Sequence, residues 1–319
     1  MCTAILYKNY FGRTLDLDVS YGECVTLTPR RFPLIFRHLP PLKTHHALIG
    51  MAAAEGGVPL YFEALNERGP FVAALNFPHL AQYASPRADK QNVAPFEVIP
   101  WLLGQCESLA AARDLLRETC VCDTAFSAAM PNTPLHWFVA DKTGAVAVEA
   151  VAEGLCVYDD PVCVLTNSPS FPYHLTHLAD YMGVSALPPQ NRFGGGASLA
   201  PYSRGMGGMG LPGDLSSASR FVRAAFLREN AHSEGEGDLA QFFHILDGVA
   251  HPRGSVRLAD GGEQITVYTS AYDADRGICC YTTYENRRIT AVDMHRTRLD
   301  GDTLVTYPLR KKEDVYWEG

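Results

Sequence analysis

The sequence predicts an α+β fold in which helices pack on antiparallel sheets. Runs rich in β-branched and aromatic residues, punctuated by Gly, Pro and Asn, dominate both ends of the chain. Helical patterns are grouped between them instead of alternating with single strands. The strand spacing suits hairpins and meanders.

The early strand runs are CTAILYK, HALIGMAAA, FVAALNF, LHWFVAD and AVAVEAV, and the late ones are EQITVYTSAY, GICCYTTY and RRITAVDMH. Between them, SLAAARDLLRETC reads as a helix capped by Ser108, with Leu109, Ala112, Leu115 and Leu116 on one face. SSASRFVRAAFLREN gathers Phe221, Val222, Ala225 and Phe226 behind a Ser216 cap, and DLAQFFHILDGVA turns Leu239, Phe242, Phe243 and Leu246 inward behind Asp238. Residues 188–213 are too rich in Gly and Pro for regular structure.

With 319 residues, 47% of them hydrophobic, the chain can bury a large core. Neither a repeat nor a long linker divides it, so one domain over 1–319 is expected. The formal net charge of −8 argues against nucleic acid or an anionic membrane as partner. No run approaches the ~18 apolar residues of a membrane-spanning helix. The first ten residues include Lys8 but no apolar stretch with a small-residue cleavage site, so no secretory leader is expected. Nine cysteines in such a chain read as reduced, mostly buried thiols of a cytoplasmic protein.

Three motifs invite readings that their context does not support. GMGGMG at 205–210 fits a dinucleotide fingerprint, with Glu229 at a ribose-binding distance, but no strand precedes it and Pro212 and Gly213 follow. Cys120 with Cys122, and Cys279 with Cys280, lack the spacing and the second ligand pair of a zinc site. His45 and His46 are consecutive, with no H-E-x-x-H. Neither a metal nor a cofactor is expected.

Cys2 lies directly behind the initiator methionine, which is generally removed before so small a residue. Removal leaves a thiol and a free α-amine on one residue. An unperturbed α-amine titrates near pH 7.7–8.0, about two and a half units below lysine. Nucleophile and base then arrive together, with no need for a catalytic histidine.

Beginning at MCTAI, the chain resembles the choloylglycine hydrolases, the bile salt hydrolase and penicillin V acylase group of N-terminal-nucleophile amidases. The matching stretches are GRTLD at 12–16, NERG at 66–69, AALNFP at 73–78, PLHWFVAD at 134–141, VLTNSPSF at 164–171, GLPGDLSSASRFVRAAF at 210–226 and YTTYENRRITAVDMH at 281–295. They run from residue 2 to about 308 in the family's order. The resemblance implies a four-layer αββα sandwich and hydrolysis of a linear amide through a thioester on Cys2, with bile salt hydrolases as the nearest members.

It also implies roles. Arg13 would stand beside the Cys2 sulfur and stabilise negative charge on it, and Asp16 would accept a hydrogen bond from the α-amine. The Asn167 side-chain amide and the Asn76 backbone N–H would hold the oxyanion, and Arg220 would fix the charge network. Thr14 departs from the family, which commonly has Asn in GRNMD, and has no evident chemical role. Asp214 reads as a turn or cap residue. Leu15, Phe126 and Met130 are candidates for an apolar pocket taking a steroid acyl group conjugated to glycine or taurine. Asn76, where penicillin V acylases often carry Tyr, favours the bile acid substrate. The Gly-rich stretch, in a region where relatives carry an assembly loop, implies a homotetramer.

Overall fold

The computed structural model describes residues 1–233 and 237–319. Among these, a smaller antiparallel sheet has the order Val164–Leu165, Cys2–Tyr7, Tyr10–Leu17, Ile265–Asp273, Ile278–Thr283, Thr290–Asp293. A larger one, also antiparallel, has the order Gly154–Asp160, Gly144–Val151, Leu135–Asp141, Phe71–Asn76, Val58–Asn66, Leu48–Glu55, Cys24–Thr28, Val305–Pro308. The sheets pack face to face. Phe71 of the larger sheet stacks on Phe11 of the smaller at 5.5 Å between ring centroids and leans on Tyr272 at 5.2 Å.

Each sheet's outer face carries helices. Ser217–Asn230 and Asp238–Asp247 cover the smaller sheet through Phe221, Phe242, Phe243 and Ile245, all buried. Val98–Leu103 and Leu109–Arg117 cover the larger sheet, where Trp101 and Leu116 join Trp137, Val139 and Val146. Because helices lie outside both sheets, central strands are buried on both faces. That is why LHWFVAD and AVAVEAV read as nearly unbroken apolar runs.

The helix expectations hold with one change of cap. The Ser108 and Ser216 side chains accept from Ala111 N and Ser219 N. The third helix is entered through Gly237, in the left-handed region at φ 94°, and Asp238 is its first residue, bonded instead to Lys8 and Ser233. Leu115, Phe226 and Leu239 are only half-buried at the edges of their apolar faces. Residues 188–213 form no strand or α-helix, only a single 3₁₀ turn at Met206–Gly208. GMGGMG lies in that turn, so the strand-to-helix context of a dinucleotide loop is missing.

Candidate active site

Cys2 opens the second strand of the smaller sheet, opposite Leu15, and Ala4 lies opposite Arg13. Side chains alternate along strands. Phe11, Arg13 and Leu15 therefore point between the sheets, and Thr14 and Asp16 point toward the helices. The Cys2 side chain is 2% exposed, at the end of a cavity of about 240 Å³. Arg13, Leu15, Asn76, Phe126 and Met130 line the same cavity, joined by Tyr21, Phe62 and Phe96. Phe96 meets Phe126 edge-on at 5.3 Å, and the Arg37 guanidinium lies over both rings.

Arg13 is fully buried. It donates to the carbonyls of Ala74 and Phe62 and lies 3.8 Å from Glu63. Burial opposes its charge, but negative charge on the Cys2 sulfur and the Glu63 carboxylate outweighs that and raises its pKa. Glu63 is itself pushed up to about 7 by burial, with Arg13 and Tyr268 pulling the other way. Tyr268 Oη donates to Glu63 at 2.8 Å. Glu63 carries no local signal in the sequence, since a Glu within a strand usually faces solvent.

On the sheet's other side, Arg220 lies near the start of its helix and is fully buried. It donates to Cys2 O at 2.5 Å, Thr3 Oγ1 at 2.7 Å, Asn167 Oδ1 at 2.6 Å and Leu215 O at 3.0 Å. Asp214 accepts from Ser216 N at 2.9 Å and Ser219 Oγ at 2.6 Å, bonds that draw its pKa down to about 2 and fasten that end of the helix.

Asn167 follows the short edge strand Val164–Leu165. Its Oδ1 accepts from Cys2 N at 2.8 Å, and its Nδ2 donates to Asn76 O at 2.7 Å. Asp16 does not meet the Cys2 nitrogen directly. Its carboxylate accepts from Thr14 Oγ1 at 2.8 Å and Thr266 Oγ1 at 2.6 Å. Thr14, silent in the sequence, thus has a place: it also accepts from Thr3 N at 3.2 Å and ties the Cys2–Tyr7 strand to Asp16.

Two buried histidines hold the Asn167 loop and escaped the sequence reading. His136 reaches Thr166 O at 3.0 Å, and His174 reaches Asn167 O at 2.8 Å while stacking on Phe221. Burial lowers His174 to about 4, so it is a neutral donor. Isolated histidines in apolar surroundings carry no periodic signal. Among the described residues, no three His, Cys, Asp or Glu side chains are grouped to hold a metal ion.

The family model for linear amide C–N hydrolases, choloylglycine hydrolase family, matches residues 2–307. The chain belongs to this family. Similar choloylglycine hydrolases include a bile salt hydrolase/transferase of Lactiplantibacillus plantarum, 47% identical over 99% of both chains. Another, from Clostridium perfringens, is 35% identical over 98% of both. The solved structure of the C2A variant of the Clostridium perfringens conjugated bile acid hydrolase covers 100% of both chains with a TM-score of 0.92 and 35% identity. A penicillin V acylase from Agrobacterium tumefaciens covers 98% of this chain and 92% of its own, with a TM-score of 0.75 at 17% identity, and shares the fold. Among the described residues, no helix is long and apolar enough to cross a membrane.

Proposed function

We propose that the chain is a bile salt hydrolase that cleaves the amide of glycine- or taurine-conjugated bile acids, with Cys2 as nucleophile. One observation carries the reading. A buried cysteine sulfur ends an apolar cavity beside a fixed guanidinium, and its own nitrogen is gripped by Asn167. The names of the relatives at 47% and 35% identity support the substrate.

With Met1 removed, the nitrogen bonded to Asn167 Oδ1 becomes a free amine. The free α-amine takes the Cys2 thiol proton and becomes an ammonium as the sulfur attacks the amide carbonyl, with the Arg13 charge stabilising the thiolate. An asparagine amide has two N–H donors. Nδ2 gives one to Asn76 O, and the other, with the Asn76 N–H, receives the oxyanion. Donors so placed are worth ~3–4 kcal/mol of barrier each. The C–N bond breaks as the α-ammonium protonates the leaving amine. The resulting amine then activates water to cleave the thioester, releasing the acid and restoring the thiol. A second amine arriving before water would take the acyl group instead. Asp16, held by two threonine hydroxyls, contributes negative charge beside the ammonium.

A cavity of 240 Å³ lies below the ~300 Å³ at which drug-sized pockets begin. It takes the amide and the adjoining apolar end, while the far rings rest on Tyr21, Phe126 and Met130 at its rim. Residues 1–319 act as one domain in the cytoplasm and assemble as a homotetramer. Phe193 and Tyr202, each 84% exposed on the Gly-rich stretch, are the side chains a partner would cover.

Glycocholate, taurocholate and penicillin V, assayed by release of amine, test the substrate. The expected result is a kcat/KM for a bile acid conjugate at least about tenfold above that for penicillin V, ~1.4 kcal/mol in transition-state binding. An equal or reversed ratio would move the chain to the acylase branch. Substantial turnover by Cys2→Ala would refute the nucleophile.

A further inference from the structure

A second cavity, of about 310 Å³, lies on the helix-facing side of the smaller sheet, away from the substrate cleft. Ala250, His251, Thr266, Thr269 and Thr282 line it, and a bond of 2.5 Å from Arg287 to Asp247 stands at its mouth. Thr269 Oγ1, Thr282 Oγ1 and both ring nitrogens of His251 are buried there without a partner among the described residues. The three side chains are 1%, 3% and 1% exposed. An unpaired buried polar group is costly, and folded proteins seldom tolerate several at one place. The volume has room for several waters at about 30 Å³ each.

The cavity also touches the nucleophile's surroundings. Thr3, Thr14, Thr269 and Thr282 stand in register across four adjacent strands. His251 N donates to Thr266 Oγ1 at 2.8 Å, and Thr266 N returns a bond to His251 O at 3.1 Å. That grip leaves the Thr266 hydroxyl proton for Asp16. His251 Nε2 is 3.9 Å from Asp16 Oδ2, a separation that one water shared to the side can bridge. A bulge between Thr266 and Tyr268 lets Thr266 and Thr269 face the cavity together.

We infer that this cavity holds a cluster of waters, and that His251 acts through them and through Thr266 as a positioning residue for Asp16. The inference rests on the proposed role of Asp16 beside the Cys2 amine. The His251 ring is neutral, lowered to about 4 by burial against the pull of Asp16. It can therefore donate from one nitrogen and accept at the other. Since the substrate lies on the opposite face of the sheet, disturbing the cavity changes the amine's setting and leaves substrate contacts in place.

The test compares His251→Leu, His251→Gln and the isosteric pair Thr269→Val with Thr282→Val in the Met1-free protein. His251→Leu is expected to lower kcat for a conjugated bile acid by at least about tenfold with KM within about twofold. It should also shift the pH profile of Cys2 alkylation by iodoacetamide, a readout that needs no turnover. His251→Gln should recover most of both. If His251→Leu kept the parent kcat and alkylation profile, or if His251→Gln rescued neither defect, the positioning role would be wrong. The valine pair is expected to lower the unfolding temperature, because hydroxyls bonded to water are lost. A rise would mean a dry cavity and overturn the water cluster, even if His251→Leu failed to fold. Turnover by Cys2→Ala would sink the proposed function alone, and neither of these readouts would detect it.

Discussion

The side-chain oxygen of Asn167 accepts a hydrogen bond from the Cys2 nitrogen at 2.8 Å, joining residues 165 positions apart. The same oxygen takes Arg220 Nη2, and the amide nitrogen holds Asn76 O. Asn167→Asp keeps the acceptor for Cys2 N and Arg220 but turns a carboxylate oxygen toward Asn76 O, so it should lose kcat by about 10²–10³ together with some stability to denaturant. Asn167→Leu removes both and strands a buried guanidinium N–H, so it should also lose ~1–3 kcal/mol in denaturant unfolding. Parent kcat in Asn167→Asp would exclude the oxyanion role.

Processing is the second prediction. While Met1 is attached, the Cys2 nitrogen is an amide with no basic lone pair. Active protein should therefore have an intact mass short by one methionine. A preparation forced to retain Met1, for instance by a residue placed ahead of it, should be folded and inactive. Full activity with Met1 in place would refute the amine's part.

Acid should act on His174. Its pKa falls from 6.5 to about 4 on folding, so keeping it neutral contributes stability that is full above pH 6.5 and lost as pH drops toward 4. The difference amounts to up to about 3 kcal/mol. Glu63 and Asp160, both raised to about 7 by burial, work in the opposite sense between their ordinary pKa values and pH 7. The parent's own pH curve therefore mixes both effects. The stability gap between the parent and His174→Gln isolates the histidine, and it should shrink steadily from pH 7 to pH 4.5. A constant gap would contradict the assignment.

Assembly is the fourth prediction. Light scattering at micromolar concentration should give the mass of a tetramer, and Phe193→Ser with Tyr202→Ser should yield a smaller species. A monomeric parent would refute the proposed assembly.

Much of this molecule was legible before its coordinates. The eight strand runs and three helices fall within a few residues of the observed elements, because their sequences carry caps and strong periodic faces. Val98–Leu103 went unseen. All six of its residues are buried, and Pro100 lies inside it, so it offers neither a polar face nor a helical composition. Phe171–Leu178 is short and begins at a proline-flanked turn. In the site, Arg13, Leu15, Asn76, Phe126 and Met130 line one cavity with Cys2. Glu63, Thr266, His174 and His251 did not announce themselves. Their importance comes from partners as much as 250 residues away in the chain, as in the Thr266 bond to Asp16.

The buried start of the strand Cys2–Tyr7 has a practical side. An affinity tag, fluorophore or surface linker fused ahead of Cys2 would acylate the nitrogen that Asn167 grips. It would also have to thread out past Asp16, whose backbone N–H bonds to Met1 O at 2.9 Å. Residues 315–317 are exposed, with Trp317 83% accessible. Immobilised or reporter-linked forms that keep working are therefore those joined at that end.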